Sequence, residues 1–197
     1  MSDFYKIWVG DSPTIASVFK VRPIYRAPFQ IVGEPLMADI KQNSRVWTDL
    51  IRTNQFTLLL FSERWVNMAN EQGWTGVEFW PIAIRNIDSE YLRAKAHLPY
   101  YWAKILAKVG VNGLPATGSG PQPNPETGRF QRPHDSPCKA WVDSFDGDKT
   151  DFFYLSNVWA TDIFCSARVR NAVLEHRWTN VDFTHPSEEN GRKFFNI

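Results

Sequence analysis

Cysteine, histidine and excess charge are all scarce in this 197-residue chain: two Cys, four His and a formal net charge of +1. Cys138 and Cys165 form no CxxC pair, so two free thiols in a reducing cytosol are expected. The histidines (His97, His134, His176 and His185) make no HxxxH or HExxH pattern, and zinc needs three or four ligands at defined spacing. His134 and Cys138 stand four apart, but Pro133 and Pro137 deny them a shared helical face. No metal and no cofactor are therefore expected. The charge balance gives no general drive towards nucleic acid or anionic lipid. Apolar runs are no longer than the four residues of "LLLF" (58–61), far short of a membrane span. The start, "MSDFYKIWVG", lacks a basic stretch followed by an apolar one, so no secretory signal is read there. A soluble, cytoplasmic protein is expected.

Catalytic signatures are missing as well. There is no GxSxG elbow, and neither cysteine lies in a catalytic pattern. Cys165 falls in an apolar strand, where an inert buried thiol is expected. His134, Asp135 and Ser136 are triad residue types, but adjacency in sequence does not give triad geometry. "GSGPQPNPETG" has no GxxxxGK[ST] pattern, and its prolines remove the amides that would cradle a phosphate.

What the chain does have is aromatic mass, with nine Trp and fourteen Phe, and a repeat. Aromatics carry large burial energies and, where exposed, make good interface anchors. "SERWVNMANEQGWTGVEF" (62–79) and "SARVRNAVLEHRWTNVDF" (166–183) align without a gap at an offset of 104 and agree at eight of eighteen positions. Unrelated segments would share about one, so self-similarity organises the reading. Ser62 and Ser166 sit where a helix N-cap is needed. Trp65, Met68 and Ala69, matched by Val169, Ala172 and Val173, make a buried stripe at helical spacing. Gly73 suits the left-handed residue that ends a helix; Arg177 occupies the equivalent place, so the second helix is expected to end differently. "FTLLLF" and "TDIFC" precede the helices as strands, and "VEFWPIAI" and "VDF" follow them. The fold class is thus α+β: a duplicated strand–helix–strand unit (56–84 and 161–186) around mixed or antiparallel sheets, within one domain, 1–197.

Elsewhere "DFYKIWVG" reads as a first strand, and the proline-bearing stretch 12–35 as extended edge segments and loops. "LPYYWAKILAKV" (98–109) fits either an amphipathic helix or a strand pair. Residues 110–137, rich in Gly and Pro, read as a long loop or linker. Asp146-Gly147 marks a hairpin turn.

Two charge patterns remain. Arg64 and Arg168 lie in the first turn of each helix, the unfavourable end for a cation, and a salt bridge across the duplicated core accounts for such a pair. Asp143, Asp146, Asp148 and Asp151 lack the spacing and terminal Glu of a calcium loop. They read as a solvated turn or as a negative patch for a basic partner.

"LLLFSERWVNMANEQGWTGVEFWPI" resembles the SER…GxxG…F-P segment of bacterial polymorphic-toxin immunity proteins. "VWATDIFCSARVRNAVLEHRWTNVDF" (158–183) is similar to the carboxyl-terminal segment of the related double-CXXCG-motif proteins. "FYKIWV" and "LPYYWAKI" extend the likeness over most of the chain. The CxxCG cysteines that the family carries would fall within 110–137; none stands there, so the zinc knuckle the family implies is missing. The resemblance implies a protein that is not an enzyme, binds a cognate toxin domain in the cytoplasm and blocks its active site, with no nucleic-acid or membrane partner. Asp143, Asp146, Asp148 and Asp151 are the expected toxin contacts. A hydrolase whose site forms only in three dimensions, or a self-associating adaptor, are the alternatives.

Overall fold

Period-two burial decides the stretch that sequence left open. Along YYWAKI, Tyr100 and Trp102 enter one core while Ala103 and Ile105 enter another, which a pleated strand allows and a helix does not. The computed structural model describes residues 3–10, 15–22, 36–54, 58–109, 150–155 and 162–185. In chain order the described elements are β1 (Phe4–Trp8), β2 (Val18–Arg22), β3 (Met37–Ile40), β4 (Leu50–Arg52), β5 (Leu59–Ser62), α1 (Glu63–Gln72) and β6 (Val77–Ile87). There follow α2 (Glu90–Arg93), β7 (Tyr100–Ile105), β8 (Ala107–Val109), β9 (Phe152–Leu155), β10 (Phe164–Ser166), α3 (Ala167–Glu175) and β11 (Asp182–Thr184). The stretch 110–137 lies outside the described residues. No helix among the described residues is long and apolar enough to cross a membrane.

The protein is α+β, with a five-stranded sheet ordered β11-β1-β10-β9-β8 and a six-stranded sheet ordered β2-β3-β6-β7-β5-β4. Within them, β6-β7-β5-β4 and β11-β1-β10-β9 are the same four-stranded unit. Lys104, Ala103 and Trp102 of β7 face Glu78, Phe79 and Trp80; Trp8, Ile7 and Lys6 of β1 face Asp182, Phe183 and Thr184, each 104 positions on. Leu50 pairs with Phe61 as Phe152 pairs with Cys165, and Tyr100 pairs with Ser62 as Phe4 pairs with Ser166. The duplication is therefore larger than the strand–helix–strand unit read from sequence. It is also permuted, because the second unit takes its central strand, β1, from the start of the chain. The units are laced together after these central strands. The chain leaves β7 and pairs in parallel with β9 as β8, and after β1 it makes a parallel bridge from Ser17 to Arg52 of β4.

The helix ends keep the symmetry more closely than the sequence predicts. Gly73 has φ +63°, and its equivalent Arg177 also adopts a left-handed φ of +51°. The amides of Trp74 and Trp178 close both turns on the carbonyls of Ala69 and Val173 at 2.9 and 3.2 Å. The second helix does end differently in one respect, stopping one residue earlier at Glu175 with His176 as its cap and the Arg177 amide on the Leu174 carbonyl. It closes on the same left-handed turn, however, and Arg177 bears a backbone cost of about 1 kcal/mol for lacking glycine. A second left-handed pair, Gly76 (φ +81°) and Asn180 (φ +61°), follows. At Gly76 a Cβ would lie 2.1 Å from the Phe152 carbonyl, so that position tolerates glycine alone. The caps depart from expectation in one respect. Ser166 accepts the Val169 amide, whereas Ser62 stands in the cap position without accepting one.

Both units bury the repeated stripe in a common core. Trp65 lies at its centre, ringed by Phe61, Trp74, Phe152 and Trp178 at centroid distances of 4.7–6.2 Å in tilted or edge geometry. A second core forms on the opposite face of the six-stranded sheet, where Ile51, Leu60, Ile82, Tyr100 and Trp102 meet β2, β3 and Leu92 of α2. Complete burial of such a side chain stabilises by about 1.5–3 kcal/mol, so these two clusters carry the fold.

Candidate functional site

The residues singled out in sequence converge on two related clamps. Asp49 lies just before β4, and its carboxylate accepts from Ser62 Oγ (3.0 Å), Arg64 (3.1 and 3.2 Å) and, from the other unit, the amide and hydroxyl of Thr179 (2.8 and 2.9 Å). Asp151, just before β9, mirrors it. It accepts from Ser166 Oγ (2.8 Å), Arg168 Nε and Nη2 (3.2 and 2.6 Å) and, from the first unit, the amide and hydroxyl of Thr75 (2.9 and 3.3 Å). Each arginine then reaches across to the end of the opposite helix: Arg64 donates to the His176 carbonyl and Arg168 to that of Gly73, both at 3.3 Å. A cation at a helix N-terminus is tolerated here because its charge is spent on a buried carboxylate and on the C-terminal carbonyls of the other helix. Burial alone would raise the Asp151 carboxyl. Hydrogen bonds from Arg168, Thr75 and Ser166, with the Arg168 charge, outweigh it and hold the group below the usual carboxylate range.

This geometry corrects one expected toxin contact. Asp151 is buried and its oxygens are taken up by internal donors, so it is a strut between the units. Asp143, Asp146 and Asp148 lie outside the described residues. A trace of Asp49 was present in the sequence: "TDLI" and "TDFF" repeat, but at an offset of 102, which an ungapped alignment at 104 passes over. The clamps are poor catalysts by chemistry. Ser62 and Ser166 donate to carboxylates that are already saturated by guanidinium and amide donors, so neither has a base to activate it.

Cys165 is buried in β10, and burial pushes its thiol well up, away from a reactive thiolate. Cys138 and His134 lie outside the described residues. His97 packs against Trp47 and His185 against Tyr5, both in tilted geometry and each at a separate place. Among the described residues no three His, Cys, Asp or Glu side chains meet as a metal site would require.

The surface is more informative, and sequence reasoning missed it. On the face of the six-stranded sheet opposite the shared core, β6 and β7 set Trp80 beside Trp102 and Ile82 beside Tyr100. Trp80 is 48% exposed, yet it is held on three sides. Its ring stacks on Trp102 at 6.2 Å and 25°, its indole N–H donates to Glu78 Oε2 at 3.2 Å, and Lys104 Nζ lies 5.8 Å from the ring centre. Lys104 is paired in turn with the same Glu78 oxygen at 3.4 Å. Further along this face Tyr100 donates to the Thr48 carbonyl at 2.6 Å and packs against Trp47, whose ring lies tilted against His97 at 4.8 Å. A row of aromatics therefore runs under this face and surfaces at both ends. The alternation Glu78-Trp80-Ile82 places the three on one face of a strand. Only the partner strand shows which face stays partly open.

The chain matches no protein-family model and no curated protein.

Proposed function

We propose that this chain is an immunity protein that binds a cognate antibacterial toxin in the cytoplasm and neutralises it by covering the toxin's active site. The observation that carries the reading is Trp80: a large aromatic side chain, half in solvent, fixed by stacking, a hydrogen bond and a cation. A free monomer gains little from ordering an exposed indole in this way. A binding protein gains a great deal, because a pre-set anchor loses no rotamer entropy on docking. The clamped double unit beneath it supports the same reading, since it supplies stiffness while its polar groups are spent on one another.

Co-expression tests this directly. The chain rescues cells from the toxin domain encoded beside it, and the two copurify as a stable complex. Trp80→Ala keeps the fold and weakens the complex by about 30-fold or more, the loss expected of an anchor worth about 2 kcal/mol. Failure of the wild-type chain to protect, or to bind the toxin domain at micromolar concentration, overturns the proposal.

A further inference from the structure

At the far end of the aromatic row, the 41–47 loop and the 88–98 segment meet and form one surface. Ser89 joins them: its hydroxyl donates to the Ser44 carbonyl and also caps α2 by accepting the Leu92 amide at 3.2 Å. Lys95 Nζ donates to the Arg45 carbonyl at 3.1 Å, a second tie between the segments. The Val46 carbonyl is fixed from beneath by the Ala16 amide at 2.8 Å, and Trp47 is wedged against His97 and Tyr100. The backbone of this surface is thus set before anything binds.

What it presents is specific in composition. Val46, Tyr91 and Leu98 are 51, 56 and 44% exposed, three of the seven large hydrophobics most open to solvent among the described residues. The Arg45 guanidinium lies 4.8 Å from the centre of the Tyr91 ring, a cation–π contact that uses none of its N–H donors in a hydrogen bond. Among the described residues neither Arg45 nor Lys95 has a carboxylate partner. Arg93 donates two N–H groups to the Ile87 carbonyl and Lys95 one to that of Arg45, which leaves the Lys95 ammonium two further donors. The only acids of these two segments, Asp88 and Glu90, stand at the N-terminal end of α2.

We infer that this surface docks an acidic patch of a protein partner, with Tyr91 and Leu98 entering apolar pockets and Arg45 and Lys95 meeting carboxylates. The inference rests on the immunity reading and names the charge of the toxin face that is covered. Tyr and Arg over a fixed backbone, with exposed aliphatic neighbours, is the composition of a protein-binding hot spot. The two segments carry four cations, Lys41, Arg45, Arg93 and Lys95, two of them already donating to carbonyls, which is fewer than the roughly 6–10 phosphate contacts from which nucleic-acid affinity is built. The sign is opposite to that of the Asp143–Asp148 turn read from sequence as a contact.

The test uses the full chain, Arg45→Glu/Lys95→Glu, and Tyr91→Ala as a neutral truncation, with circular dichroism to verify folding. Titrated calorimetrically with the toxin domain encoded beside it, wild type binds, and each variant binds at least about 10-fold more weakly, the charge variant losing its salt dependence. Unchanged affinity in both variants overturns the surface and leaves the immunity reading standing. If wild type does not bind the toxin domain, that reading fails. The surface is then judged with dodecapeptides selected from a random displayed library. Selected peptides that carry Asp or Glu and lose the charge variant support it; peptides without acid, or that bind the variant equally, overturn it. Binding of a 20-base-pair DNA duplex that Arg45→Glu/Lys95→Glu abolishes would also overturn it, by making this a nucleic-acid surface.

Discussion

Replacing Asp151 by Asn keeps size and shape but turns one acceptor oxygen into a donor among five donor contacts: Ser166 Oγ, Arg168 Nε and Nη2, and the Thr75 amide and hydroxyl. The amide must point its N–H₂ at another donor, and Arg168 loses its counter-charge. Breaking a buried ion pair from one side costs about 3–5 kcal/mol; Arg168 is half exposed and recovers some hydration, so about 3 kcal/mol is expected. For a protein of this size that lowers the melting temperature by about 6–12 °C. The pH dependence has a definite sign. The folded carboxyl is held below its ordinary value of about 3.9, so its stabilisation is complete above that pH and is lost as pH falls towards the folded value. Urea unfolding at pH 7 should therefore separate wild type from D151N by about 3 kcal/mol, and the gap should close as the pH is taken below about 4. Thr75→Val, which removes the hydroxyl contact from the other unit, should cost about 1 kcal/mol alone and clearly less in the D151N background. A loss below 1 kcal/mol for D151N, or strict additivity with T75V, would refute the argument that the carboxylate joins the two units.

The left-handed positions give a paired expectation. Gly76→Ala should destabilise by about 3 kcal/mol or more, since the new methyl meets the Phe152 carbonyl, whereas Arg177→Gly should stabilise by about 0.5–1 kcal/mol; thermal melts compare them. In a Cys138→Ser background, Cys165 should react with a thiol reagent at least about 100-fold more slowly in the native protein than in urea. Deleting residues 1–9 removes the strand that β10 and β11 both pair with, and should unfold the second unit by circular dichroism; a peptide of residues 1–10 added in trans should restore it.

How much of this was legible in the chain follows from the range of the forces involved. Helical spacing, cap positions and short apolar runs are local, so α1, α3 and the strands beside them stand in the sequence, as does the duplication they share. The ambiguity at 98–109 was real, because short apolar runs fit both periods until two cores claim alternate residues. Arg64 and Arg168 announced that a partner was needed, but the carboxylates stand 15 and 17 residues earlier, across loops of different length. Only folding brings them together. The same holds for β1, whose place in the second unit comes from backbone pairing over more than 150 residues, which no local pattern encodes. Exposure of Trp80 and Tyr91 was likewise beyond the sequence: nine tryptophans declare aromatic surface in plenty, but which of it stays in water depends on how completely neighbouring strands and loops cover each face.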